Sequence, residues 1–225
     1  MDCQEIVVQP QLIHYFLLRE VKQSNLNEMR FKVANKYVRL SLYEFCVVTG
    51  LRCKDVRKNL EHIPSKIKGT YFRNLKLVTN EDVRDVFLNL LDADDHDIVS
   101  IRILYLITSF LFSTSYKKVV ENYLFTLVED FAAMERSSWG KKLFEKSIKS
   151  LREGLSHRNL HYRLKGFLIA LVRIYESIPS LTGPITNRVG NRHRRIVNWA
   201  LNRQHSAVKL DEEVFSKLDC SSREK

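Results

Sequence analysis

The chain has 225 residues, 44% of them hydrophobic, enough to bury a substantial core. Its 37 Lys and Arg against 26 Asp and Glu give a formal charge of +11, which suits polyanionic partners without choosing among nucleic acid, anionic lipid and acidic protein tails. Seven Gly and four Pro are too few for the many turns of a sandwich or barrel, so the chain is expected to be mainly α.

In chain order, Leu12, Ile13, Phe16, Leu17 and Val21 fall at helical spacing, with Pro10 suited to a first turn, and predict a helix over 10–23. The period then changes to two. Residues 28–33 and 36–40 alternate on either side of Asn35, which predicts a short hairpin over about 28–40 with Met29, Phe31 and Val33 on one face. Ser41-Leu-Tyr-Glu44 has the spacing of a capping box and opens a short helix that Gly50 should end in a left-handed cap. Cys46, at an inward position, reads as a small core residue. Residues 51–78 read as irregular and basic.

Thr79-Asn-Glu-Asp82 predicts the cap of a helix carrying Val83, Val86, Phe87, Leu90 and Leu91. Asp92-Ala-Asp-Asp-His-Asp97 lacks the glycine and closing glutamate of a calcium loop, and its acids are expected to complement the dipole of the following helix. That helix, about 98–112, is the most apolar stretch. Its single charge is Arg102, and apolar side chains run around nearly its whole circumference, so it is expected to be buried on most sides. It is too short to span lipid.

Further helices are expected over 116–135 (Val119, Val120, Tyr123, Leu124, Leu127, Val128, Phe131), over 141–155 behind Trp139-Gly140, and over about 160–177. Trp139, Phe45, Phe144 and Phe167 read as core, and Gly50 and Gly140 as positions of special backbone geometry. Pro179 to Pro184 reads as a turn-rich link. Ile196, Trp199, Ala200 and Leu201 have helical spacing, with Trp199 as a core residue. These elements predict one helical domain over 1–202 and a polar, mobile tail over 203–225, in which 208–218 could form a loose helix.

The four cysteines, Cys3, Cys46, Cys53 and Cys220, show no C-x-x-C pair and no zinc-type spacing with the histidines. No metal or cofactor is expected. With no secretory leader and no Asn-x-Ser/Thr acceptor, the expected compartment is reducing and intracellular. The basic residues Arg188, Arg192, Arg194 and Arg195 are candidates for phosphate contacts, with Trp199, Tyr71 or Phe72 as candidate stacking partners for bases. They lack the setting of a helix-turn-helix or zinc finger, so any such binding is expected to be indifferent to sequence.

Three stretches carry a family resemblance. They are Phe31-x5-Tyr37-Val-Arg-Leu-Ser-Leu-x-Glu-Phe-x-Val-Val-Thr-Gly-Leu51, then Trp139-Gly-x-x-Leu-Phe144, then Tyr162-x-Leu-x-Gly-Phe167 continuing to Glu176-Ser-Ile-Pro179. In this order, over residues 10 to 200, the chain resembles a plant domain of unknown function found in transposon-associated reading frames, often upstream of a SUMO-protease-like cysteine peptidase domain. Ser138 stands where that family commonly has proline, and Arg194-Arg195-Ile-Val-Asn-Trp199 lacks the proline of the family's last segment. Residues 28–51 also resemble, more weakly, the opening of the plant mobile domain.

The resemblance implies a plant, transposon-derived origin and a nuclear setting, and it implies no activity. Asp219-Cys220-Ser221 matches only a fragment of the peptidase pattern, with no His-Trp pair before it, so catalysis is not expected. The leading expectation is a non-catalytic accessory or interaction module with an unknown protein partner. The alternatives are sequence-indifferent nucleic-acid binding and an inactive fragment separated from its peptidase domain.

Overall fold

The structure, a computed structural model, describes residues 10–33, 36–54, 64–90, 93–112, 115–156, 178, 181–183, 186–191, 199–201 and 208. The fold is mainly α, with two-stranded antiparallel sheets as its only sheets among those residues. The element order is α1 (Pro10–Leu17), β1 (Glu28–Val33), β2 (Lys36–Ser41), α2 (Leu42–Thr49), α3 (Lys66–Tyr71), α4 (Asn80–Leu88), α5 (Asp95–Leu106), α6 (Asn122–Glu129), α7 (Phe131–Arg136), α8 (Trp139–Ser156), β3 (Thr186–Arg188) and β4 (Trp199–Leu201).

Helix α1 is shorter than its apolar spacing predicts. After Leu17 the chain turns and extends, and the Val21 amide donates to the Arg30 carbonyl while the Lys32 amide donates to the Arg19 carbonyl. Strand-like pairing with β1 therefore takes over where the helix could have continued. The hairpin itself forms as expected, and its register sets Glu28 opposite Ser41 and Val33 opposite Lys36. Met29, Phe31 and Val33 are all buried on one face, because alternation in a strand sends every second side chain inward. Phe31 meets Phe16 edge-on at 6.1 Å and so ties hairpin to α1.

Ser41 and Glu44 form the capping box that opens α2. The Ser41 hydroxyl accepts from the Tyr43 amide, and Glu44 accepts from the Ser41 amide at 2.9 Å. Arg39 reaches across from β2 to the same carboxylate at 2.7 Å. Burial pushes the Glu44 carboxyl up, yet the hydrogen bonds from Ser41 and Arg39 outweigh it and hold the group below its ordinary value. Gly50 ends the helix with φ 69°, the left-handed geometry that glycine adopts without Cβ strain.

Asp97 is buried, and it does more than face a helix dipole. It accepts from Lys66 Nζ and from the Tyr71 hydroxyl, each at 3.1 Å, and so holds α3 against α5. The N-terminal amides of α5 are met by Asp94, whose side chain accepts from the His96 amide. Glu129, at the end of α6, accepts from the Ile67 amide at 2.6 Å and from the Ser65 hydroxyl, so one helix supplies part of the cap of another.

The single helix expected over 116–135 is two. Residues 115–118 form a turn, the Lys118 amide donating to the Ser115 carbonyl at 3.0 Å, Val119 is paired to Thr79, and Asp130 interrupts the helix by capping α7 through the Ala133 amide at 2.8 Å. A side chain that competes for a backbone donor breaks the periodic pattern. Val119 and Phe131 are accordingly exposed at about 41% and 38% rather than facing inward.

Helix α8 packs on α2, with Phe45 and Phe144 edge-on at 5.6 Å and both buried. From the inner face of α8, Arg152 donates to the Glu28 carbonyl at 2.8 Å and to the Leu26 carbonyl. Residues 199–201 form a strand rather than a helical turn, pairing with β3 with Arg188 opposite Trp199. Trp199 is nevertheless half-buried against the core, as expected. The helix expected over 160–177, with Phe167, and most of the link over 179–184 lie outside the described residues; of 203–225, only Val208 is described.

Candidate interaction surface

Helix α5 sorts its residues into two faces. Asp97, Ser100, Ile101 and Leu104 are buried, recurring at the helical spacing that faces the core. The Ser100 hydroxyl donates to the Val128 carbonyl at 3.0 Å and fixes α5 against α6. The opposite face is open: Val99 is 41% exposed, Leu106 50% and, beyond the helix end, Phe110 62%. The expectation that this helix is buried on most sides holds except along this one stripe. Helices α3, α4 and α6 pack around the rest of it.

Helix α4 flanks that open side. Its capping box is present as expected, Thr79 and Asp82 exchanging hydrogen bonds with each other's backbone amides, and Val83 points inward to complete burial. Phe87 stacks flat on Tyr105 of α5, centroids 4.5 Å apart and planes 9° from parallel. Leu88, further along α4, is 60% exposed. Between the two helices lies an open groove of about 700 Å³ whose walls include Phe87, Leu90, Ile103 and Leu106, with Arg102 as its charge. Arg102 is exposed and has no ion-pair partner among the described residues.

The groove ends where α5 passes into a π turn, Ile107–Leu111, with the Phe112 amide donating back to the Ile107 carbonyl at 2.9 Å. The extra residue in that turn rotates the side chains beyond it, and Phe110 swings out to meet the edge of Tyr105 at 6.1 Å. Periodicity over 98–112 gave no sign of this, since every residue in the π turn except Thr108 and Ser109 is apolar in either phase. An uninterrupted apolar circumference was the available signal, and it was equally compatible with burial.

The nucleic-acid candidates do not converge in the described residues. Arg188 is exposed on β3, where its guanidinium donates to the Gly190 carbonyl at 3.2 Å and to the Asn191 side-chain oxygen at 2.7 Å. Arg192, Arg194 and Arg195 lie outside the described residues, as do Asp219 and Cys220. Phe72 is buried edge-on against Phe125 and is withdrawn from any base-stacking role. Tyr71 is engaged with Asp97; burial first and this bond second push its hydroxyl above the ordinary value. Among the described residues, no group of three His, Cys, Asp or Glu side chains is placed to hold a metal ion, and no helix is long and apolar enough to cross a membrane.

Residues 17–150 match the family described as "Domain of unknown function (DUF1985)". The chain belongs to that family. The match covers more than half of the chain and contains both the hairpin–α2 motif and Trp139-Gly140. No curated protein and no solved structure matches it.

Proposed function

We propose that this DUF1985 chain is a non-catalytic interaction module that receives an amphipathic helix in the α4–α5 groove. The observation that carries the reading is the exposed apolar row Leu88, Val99, Leu106 and Phe110, with Arg102 set among it. Apolar patches of this kind on a folded domain mark contact sites, because leaving them in water forgoes about 25 cal/mol per Å². A helix presenting apolar residues at i, i+3, i+4 and i+7 matches a groove between two helices. The lone guanidinium selects an acidic residue on that helix.

Selection of helical peptides from a display library tests the reading. Peptides recovered on the parent chain are expected to carry that apolar spacing and one acidic position. They should fail on a Leu106→Glu/Phe110→Ser variant, and Arg102→Glu should exchange the acidic position for a basic one. Recovery of peptides indifferent to all three substitutions would reject the groove.

The resemblance supports a plant, transposon-derived origin, a nuclear setting and a SUMO-protease-like peptidase domain as a customary neighbour of such modules. A second reading, phosphate contact, is favoured by the charge of +11 and by exposed Arg188. Titrating the chain against labelled DNA and RNA over a range of salt tests it. Micromolar binding with a steep log–log salt slope would support it, and no binding near physiological salt would reject it.

A further inference from the structure

Cys46 lies on α2 and Cys53 on the short strap that follows Gly50, seven residues on. Their sulfurs touch, and their Cα atoms are 6.3 Å apart, within the 4.4–6.8 Å span of disulfides. Cys46, read from the sequence as an inert core residue, is thus one half of a pair. Both residues are only half-buried, so small reagents reach them.

The pair sits against the first turn of α8. A Cβ added at Gly140 would stand 2.6 Å from the Cys53 sulfur and 3.0 Å from the Cys46 sulfur, closer than atoms pack. The Gly140 amide donates to the Arg52 carbonyl at 2.8 Å, which fastens the strap to the helix end. Both sulfurs therefore lie beside the first turn of an 18-residue helix, and thiol–disulfide exchange proceeds through whichever of them is the thiolate. The open form is satisfied as well, since the Cys53 thiol can donate to the Leu51 carbonyl at 3.4 Å.

We propose that Cys46 and Cys53 form a redox modification site, a dithiol that closes to a disulfide by exchange with a small-molecule disulfide such as oxidised glutathione and thereby locks the α2–strap–α8 junction. Cys53, flanked by exposed Arg52 and Lys54 that attract the anionic reagent, is the first nucleophile. Its thiolate attacks one sulfur of glutathione disulfide, forming a mixed disulfide and releasing one glutathione thiolate. Cys46 gives its proton to solvent and attacks the Cys53 sulfur, forming the protein disulfide and releasing the second glutathione. Two protein thiols are oxidised while one glutathione disulfide is reduced to two thiols, so the electrons balance.

The full chain, equilibrated in glutathione buffers of graded poise, acid-quenched, alkylated and mapped by peptide mass, tests the site. The expected result is a linked Cys46–Cys53 peptide that appears as the buffer becomes oxidising and is lost on return to reducing buffer. Melting temperature should rise by about 5 °C on closure, the shift expected for a short cross-linked loop in a domain of this size. Cys53→Ser should abolish both changes; if that variant does not fold, the parent's peptide map decides alone. Full alkylation of both cysteines at every poise would overturn the proposal. So would linkage to Cys3 or Cys220 instead, or a bond that persists in fully reducing buffer, which would make it a permanent cross-link.

Discussion

The α2–α8 and α4–α5 contacts are both helix pairs, yet one is shut and the other open. At α2–α8, glycine at position 140 brings backbone, strap and two sulfurs together with no room left for a methyl group. At α4–α5, the flat stack of Phe87 on Tyr105 separates the helices as a spacer, and the wedge beside it becomes the groove. Side-chain size at the crossing point decides whether a helix pair makes core or surface. In the first pair, apolar residues are used up by each other; in the second, Leu88, Leu106 and Phe110 remain for something else.

Substitutions on the two sides should therefore differ sharply in what they cost. Phe144→Ala removes a buried ring from the shut contact and is expected to destabilise by about 3–5 kcal/mol, read by denaturant unfolding. An unchanged midpoint would break the contrast at its strong end. Gly140→Ala adds a single methyl to a contact with no space for it and is expected to cost about 1–3 kcal/mol by the same measurement. Gly69, with nothing near its missing Cβ, is the control: Gly69→Ala should lose no stability.

Glu44→Gln sharpens the comparison through pH. The Glu44 carboxyl is held below its ordinary value of 4.5 in the folded chain. Its contribution is therefore fully present above that value and is lost as pH falls through the lower, folded value. Unfolding followed from pH 6 down to pH 3 should show a steeper loss for the parent than for the variant. Glutamine can still accept from the Ser41 amide, so the loss near neutrality should be small and come from the weaker bond to Arg39. The smallest effect belongs to the open side. Leu106→Glu with Phe110→Ser should change stability by no more than about 0.5 kcal/mol each, since neither side chain is buried, while removing helix-peptide binding. A large loss of stability there would mean that the groove is structural.

The hairpin, both capping boxes and the Gly50 cap were legible because each depends on residues within a few positions of one another. Local spacing carries those signals whole. The Glu129 cap on α3, the Arg152 bonds to the hairpin entry and the Lys66–Asp97 pair join residues 31 to 126 positions apart, and no periodicity encodes them. Asp130 misled for a related reason: its neighbours keep the helical stripe while its own carboxylate takes an amide and ends the run. Trp199 has helical spacing with Ile196, Ala200 and Leu201, but pairing with Arg188 across β3 imposes a strand. For the groove, a fully apolar helix revealed that burial was needed and was silent about which side would receive it. The sulfur contact was out of reach, because a seven-residue separation says nothing of the turn that Gly50 makes between the two cysteines.

The Arg152 clasp sets an order of events for a chain leaving the ribosome. The entry to the hairpin, though made early, has its Leu26 and Glu28 carbonyls met by a guanidinium synthesised more than a hundred residues later. The early hairpin must wait for α8 to emerge before that edge closes. The family match runs to residue 150, two residues short of the clasp and one short of buried Leu151. A polypeptide cut at that boundary would carry every recognisable motif in residues 17–150 and still lack the side chain that joins its beginning to its end.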